Sequence, residues 1–400
     1  MSRRNFLKAS AFFGAGALAS EVILPATAAA QVAAKDAPPA KTAPAPYAPP
    51  YGPGSAKGKV AEVYEKARQV MYPICRVCPA CDGIACAGEF PGIGGLGSGM
   101  SFQNNYRGLQ RVHLKLRPLN GVSNQDKKPD TSTVIFNQKL SLPAVAAPIG
   151  GTASNFRSLL PDTEYFDRII GGCVDAGTMG AIGDGQTEKI EVVKSRYDVV
   201  AKYRGKAIAG IKPRPQQNLL SIVKLAEAAN AWMIAIDIDS AGRYQGNPRD
   251  LAVEPKTVAQ LREIVRATKI PVVVKGIMTP EDALYAAEAG AAGICVSNHG
   301  GRVLDHTPGT AEVLPAIAEK VKGKMVIFVD GCVHYGDDVM KYVALGADCV
   351  MVGRHIARAA FGGGRAGVGL FMKTMRDELE ASMVVTACPD VRSIGRQILA

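Results

Sequence analysis

The chain has 400 residues, 47% of them apolar, and a formal net charge of +11. That is enough for one large α/β barrel with additions or for two ordinary domains, each with its own core. The lysines and arginines are spread along the chain, without the basic blocks and interleaved aromatics of a nucleic-acid surface. The charge therefore reads as attraction for small anions or as plain solubility.

The first 31 residues, "MSRRNFLKASAFFGAGALASEVILPATAAAQ", place paired arginines before Phe-Leu-Lys. A weakly apolar Ala/Gly-rich stretch follows, interrupted by Glu21, and small residues around Ala28 to Ala30 offer a cleavage site. This resembles a twin-arginine export signal, so the expected partner is the twin-arginine (Tat) export machinery and the expected location is the periplasm. Export by that route carries folded proteins, which makes a tightly held prosthetic group an expectation. No other segment is apolar over a bilayer's width, so the mature protein is expected to be soluble. Residues 32–58 are Ala/Pro-rich, show no hydrophobic period and read as an extended linker.

Residues 59–132 read as an N-terminal extension. Its mark is "YPICRVCPACDGIACAGEFPGIGGLGSGMSF", in which Cys75, Cys78, Cys81 and Cys86 follow a C-x2-C-x2-C-x4-C spacing. The first three match the loop that wraps a [4Fe-4S] cluster, with the fourth one residue late. Thiolates at two-residue spacing also suit a tetrahedral zinc ion. After export, two disulfides are a further option, and spacing alone does not choose among these and unbridged thiols. Cys173, Cys295, Cys332, Cys349 and Cys388 read as buried small side chains. The Gly-rich "PGIGGLGSG" follows no strand and precedes no lysine in phosphate-loop register, so it reads as a flexible cover over the mouth of the body that follows.

From residue 133 to 400, eight short apolar or β-branched runs alternate with amphipathic stretches: "LPAVAAPIG", "TMGAIGDG", "KAIAGIKP", "WMIAIDID", "PVVVKGI", "AGICVSNHGG", "MVIFVDG" and "DCVMVGR". Near-continuous apolar strands between helices mean a parallel sheet covered on both faces. Eight such units predict an α/β fold of the (β/α)8 TIM-barrel class, with its active face at the strands' C-terminal ends. A doubly wound sheet would need a G-x-G-x-x-G turn, which "APIGGTASN" does not supply. The strand ends carry Asp184, Lys212, Asp237, Asp239, Lys275, Ser297, His299, Asp330 and Arg354. In "AIDID", Asp237 and Asp239 are expected to share one face of the strand, with Asp239 nearer the mouth.

"SNHGGR" puts His299 three residues from Arg302. Imidazole titrates near working pH and suits a general base, while a guanidinium grips a carboxylate with two parallel hydrogen bonds. Gly300 and Gly301 would let the chain turn both toward one small molecule.

The last third of the chain, through "KGIMTPEDA", "VSNHGGRVLDHTPGT", "VDGCVHYGDDVMKYVALGADCVMVGR" and "GVGLFMKTMRDELEASM", resembles the FMN-dependent 2-hydroxy-acid oxidase and dehydrogenase family. The resemblance is looser back to residue 133. It implies oxidation of a small 2-hydroxy acid, with His299 as the base, Asp239 as its orienting partner and Arg302 as the carboxylate anchor. It implies FMN as cofactor, held by Lys275 at the ring, Ser297 and the Ala147, Pro148 and Ile149 run along it, Asp330 and Gly331 at the ribityl chain, and Gly353 with Arg354 at the phosphate. A homo-tetramer is expected by the same analogy. The chain departs from the family where Asp-Gly-Gly-x-Arg becomes Asp330, Gly331, Cys332, Val333, His334. There His334 would restore the missing positive charge only when protonated. His355 stands where the family has proline. The family's Gln and Tyr near the third strand end are missing, and Lys212 is the candidate for a second contact to the substrate anion. The electron acceptor is not implied. Alternatives are an FMN barrel of another reaction type, like the isopentenyl diphosphate isomerases, or a flavin-binding sensor without turnover.

Overall fold

The computed structural model describes residues 56–89, 92–119, 128–185, 190–243 and 253–400. The signal read at 1–31, and all but the last three residues of the linker read at 32–58, lie outside the described residues. Those last three, Ala56 to Gly58, already belong to a helix, α1 (Ala56–Met71).

All eight apolar runs form strands. After a small hairpin of β1 (Thr133–Ile135) and β2 (Gln138–Leu140), the barrel strands are β3 (Ala144–Ala146), β4 (Gly180–Gly183), β5 (Ala207–Ile211), β6 (Met233–Asp237), β7 (Val272–Ile277), β8 (Gly293–Val296), β9 (Val326–Val329) and β10 (Cys349–Val352). Every barrel pairing is parallel, in the order β3-β10-β9-β8-β7-β6-β5-β4. The ends of that order approach each other. The Ala146 N–H donates to the Met179 carbonyl at 3.0 Å, and Gly150 bridges Gly183. The sheet is thus a nearly closed barrel, with each strand buried by side chains inside and helices outside.

The helices between strands start where the sequence supplies caps. Thr257 accepts from the Gln260 N–H in a capping box, and Thr279 caps a helix whose first residue is Pro280. The chain ends in a long helix, Arg354–Thr386, with one non-helical residue at Gly364.

Residues 59–132 pack on the barrel rather than apart from it. On α1, Ala61, Tyr64, Ala67 and Met71 are buried at helical spacing. They lie close to the C-terminal helix because Gly362 has no side chain. A Cβ there would stand 1.9 Å from the Val63 carbonyl oxygen. A second helix, α2 (Met100–Gln110), buries Ser101, Phe102, Asn105 and Leu109. Its Asn105 Nδ2 donates at 2.7 Å to Asn298 Oδ1, which ties it to the end of β8.

Candidate active site

Beyond β8, His299, Gly300 and Gly301 take φ values of 58°, 63° and 74°, three left-handed residues in succession. Glycine is required at the last two. A Cβ on Gly301 would sit 2.4 Å from the Phe102 backbone nitrogen, and one on Gly300 would sit 2.6 Å from Arg354 Nη1. His299 has a Cβ and bears the strain, on the order of 1 kcal/mol. Its backbone N–H is held by Ser297 Oγ at 3.0 Å.

That turn puts His299 Nδ1 3.0 Å from Asp239 Oδ1. With the carboxylate accepting, the proton sits on Nδ1 and the Nε2 lone pair is left to act as a base. Asp239 reaches this position by a route other than the expected one. β6 ends at Asp237, and Asp239 lies in a short 3-10 turn, Ile238–Arg243. The two aspartates therefore do not share a strand face. The turn fits against Gly276, where a Cβ would stand 2.6 Å from that of Asp239.

Asp237 instead anchors two lysines. Its Oδ2 accepts from Lys212 Nζ at 2.8 Å, and its Oδ1 lies 3.2 Å from Lys275 Nζ. Burial works against its ionisation, but Lys212 and Lys275 outweigh burial and pull its carboxyl down to about 2. For Lys275 burial would favour the neutral amine, yet Asp237 and Asp330 hold its pKa well above the usual lysine value. Lys275 is a fixed cation. The ligand-like trio Asp237, Asp239 and His299 has donor atoms within 4.8 Å of one another. With both oxygens of Asp237 facing ammonium groups, the trio reads as an acid–base cluster. Behind it, Ser297 Oγ accepts from Lys275 Nζ at 3.2 Å and donates to Asp330 Oδ2 at 2.8 Å. Asp330 Oδ1 is buried with no partner among the described residues, and burial raises this carboxyl's pKa.

These groups open onto a cavity of about 460 Å³ whose wall includes Ala147, Pro148, Ile149, Lys212, Lys275, His299, Arg302, Asp330, Gly331, Gly353 and Arg354. The residues expected at the site are thus brought together, with Ser297 and Asp239 just behind the wall and one exception. His334 lies outside the cavity wall, its ring stacked on His355 at 3.7 Å. Burial, with Arg358 and Lys57 nearby, pushes its pKa down to about 3, so it supplies no positive charge. It is His355 that lines the cavity, with Nδ1 3.0 Å from the Tyr64 hydroxyl.

Arg302 Nη2 donates to Asn155 Oδ1 at 2.7 Å. Arg354 begins the C-terminal helix, donates to the carbonyls of Ile93 (2.7 Å) and Gly300 (3.0 Å), and lies 3.8 Å over the Phe102 ring. Sequence reasoning did not place Cys81, Ile93, Phe102, Asn155 and His355 on this wall, although it singled out Cys81 as a candidate ligand and His355 as a departure from the family. For the first three, the Gly-rich segment gave the signal. Leu96 N–H donates to the Gly301 carbonyl at 2.8 Å, and Ser98 donates twice to Asp305 Oδ2, so this segment docks on the loop after His299.

The cavity suits a flat, phosphate-bearing cofactor. A helix N-terminus at Gly353 and Arg354 offers backbone donors to a phosphate, the orphaned Asp330 Oδ1 suits a hydroxyl, and Lys275 offers fixed positive charge. Nearby, Cys75, Cys78, Cys81 and Cys86 line one smaller cavity as free thiols.

The family described as FMN-dependent dehydrogenase matches residues 93–256 and 243–400. Glycolate oxidase 3 of Arabidopsis thaliana is 30% identical over 338 residues, covering 74% of this chain and 86% of its own length. The glycolate oxidase of Spinacia oleracea is 29% identical over 341 residues, with the same coverage. Among solved structures, mandelate oxidase with benzoyl-formic acid superposes with a TM-score of 0.67 at 26% identity, covering 85% of this chain and 97% of that one. A mandelate oxidase variant holding an FMN adduct gives 0.65 at 27%, covering 83% and 97%.

Proposed function

This chain belongs to the FMN-dependent dehydrogenase family, and from that premise we propose how its own residues divide the oxidation of a small 2-hydroxy acid to the 2-oxo acid. FMN, when bound, supplies the acceptor for the two electrons. Arg302 holds the substrate carboxylate in a bidentate grip, and Lys212, leaning on Asp237, adds a second cationic contact. His299 Nε2 takes the substrate proton, and Asp239 keeps the imidazole in the right tautomer and stabilises the imidazolium that forms. Lys275 offers fixed positive charge where the reduced cofactor gains negative charge. Asp330, Gly331, Gly353 and Arg354 hold the ribityl and phosphate portions, with Ala147, Pro148 and Ile149 along the ring and Ser297 behind the wall fixing Lys275 and Asp330.

The observation that carries this reading is His299, paired with Asp239 at 3.0 Å, lining one cavity with Arg302. The test is to purify the holoprotein anaerobically, add a panel of 2-hydroxy acids and follow the visible flavin spectrum. Bleaching by one acid, lost in His299→Ala, is expected. Bound flavin that no acid bleaches would sink the assignment in favour of the isomerase-like or sensor readings.

Two further parts of the reading rest on sequence. The twin-arginine pattern at Arg3 and Arg4 supports export to the periplasm, and replacing both by lysine is expected to strand the protein in the cytoplasm. The spacing of Cys75, Cys78, Cys81 and Cys86 supports a thiolate-bound metal centre, either [4Fe-4S] or zinc.

A further inference from the structure

Arg358, on the C-terminal helix, is only 3% exposed. Its Nη2 donates to Cys81 Sγ at 3.1 Å, while Nε and Nη1 are buried with no partner among the described residues. A buried guanidinium without a counter-charge costs several kcal/mol. The small cavity it lines contains the four thiols and one carboxylate, Asp82, which accepts from the Ile84 N–H at 3.0 Å. The four sulfurs are thus the groups gathered around this guanidinium.

Other features shape the same loop for ligation. The Val77 N–H donates to Cys75 Sγ at 3.3 Å, so two of the four sulfurs already receive N–H···S bonds of the kind that tune cluster potentials. Arg76 pairs with both carboxylate oxygens of Glu89 at 2.6 Å, closing the loop that carries Cys78, Cys81 and Cys86. Among the described residues, the trio of donors drawn within 4.8 Å of one another is Asp237, Asp239 and His299. No three of these four sulfurs lie mutually within 4.8 Å, so they do not form the zinc–thiolate tetrahedron of roughly 3.8 Å edge built on 2.3 Å bonds.

Deepening the metal-centre reading given above, and resting on it, we propose that Cys75, Cys78, Cys81 and Cys86 hold a [4Fe-4S] cluster whose negative charge Arg358 balances, and that this cluster is the electron outlet of the flavin. Cys81, Ile93, Phe102 and Arg354 line both cavities, so one layer of side chains separates the two centres. Oxidation of one 2-hydroxy acid releases two electrons and two protons. The cluster carries the electrons singly, cycling twice between its 2+ and 1+ states and passing each electron to an external one-electron carrier, while the protons go to solvent. Arg358 is a positioning residue that acts through the cluster.

The test uses the full-length holoprotein, purified anaerobically from a host that loads flavin and iron–sulfur centres. Iron, zinc, acid-labile sulfide and flavin are counted per chain, and electron paramagnetic resonance spectra are taken after dithionite and after a bleaching acid. About four iron and four sulfide per chain are expected, with the reduced-cluster signal under both reductants. Cys78→Ser should lose iron and sulfide while keeping its flavin, which shows that the chain has folded. Arg358→Gln should keep the iron but shift the cluster midpoint to a more negative potential, because a buried positive charge no longer favours the reduced form. Zinc without sulfide, or four metal-free thiols, would overturn the proposal, and a cluster that dithionite reduces but a bleaching acid does not would overturn the outlet. Iron and sulfide in a protein whose flavin no acid bleaches would support the cluster while removing the dehydrogenase reading, so the two failures are distinguishable.

Discussion

At the scale of single residues, the proposed division of labour into a base, its partner and an anchor gives each a signature when removed. His299→Gln is expected to lower kcat/KM by about 10²- to 10⁴-fold, the usual worth of a positioned general base, with flavin content unchanged. Asp239→Asn keeps the shape but loses the charge facing the imidazolium, so steady-state kinetics should show kcat falling more than KM rises. Arg302→Lys replaces a planar fork by a point charge, and the main effect should be a KM raised about 10- to 100-fold. His355 is the residue whose importance the sequence hid. Its Nδ1 lies 3.0 Å from the Tyr64 hydroxyl, and its buried, neutral ring stands on the cavity wall beside the helix start at Arg354. His355→Ala should weaken FMN retention, measured as flavin released on dilution and gel filtration. Unchanged retention would deny it that role.

At the scale of elements, the loop from Ser297 to Asp305 is built by two neighbours at once. β8 delivers it, and the Gly-rich segment with α2 clamps it from above. Gly301→Ala would drive a methyl into the Phe102 backbone at a residue of φ 74°. It should lower stability by about 1–3 kcal/mol and kcat with it, read by thermal melts and kinetics on the same preparation. The barrel itself was legible because its strands are unbroken apolar runs, and buried parallel strands leave no polar alternation to confuse the reading. His299 and Arg302 were legible because they follow such a run at once. Asp239 pairs with His299 as read but from another element, since a period of two cannot show that β6 ends at Asp237. His334 was misplaced for a related reason: sequence shows that it replaces an arginine, not that its ring turns outward onto His355. The apolar spacing Val60, Tyr64, Ala67, Met71 could have revealed α1, but composition had absorbed its first turn into the linker. The Gly-rich segment marked a cover over the mouth, but which residues of the extension reach the wall was not legible, because their contacts span some two hundred positions, as between Phe102 and Gly301.

At the scale of the whole molecule, burial of neutral histidines sets a pH limit. Both His334 and His355 carry pKa values pulled down by burial, the first to about 3, the second well below the usual value, with His334, Arg358 and Arg354 adding to the effect. In the unfolded chain each imidazole binds a proton at about 6.5. The unfolded state therefore takes up more protons below that pH. Their contribution is fully present above about 6.5 and is lost as pH falls toward the folded values, on the order of 1 kcal/mol per pH unit for each. The melting temperature of the holoprotein should drop steeply from pH 6.5 to 4.5, and His334→Gln should flatten the slope. The nearly closed barrel has a further consequence for how this protein is made. β3 pairs with β10, and the cavity takes its walls from Cys81 through Ala357. A nascent chain still on the ribosome has no flavin cavity until residues 349–357 have emerged, and the contact of α1 with the C-terminal helix waits longer still. Cofactor insertion must therefore follow synthesis, and a chain truncated before β10 should neither retain flavin nor escape proteolysis.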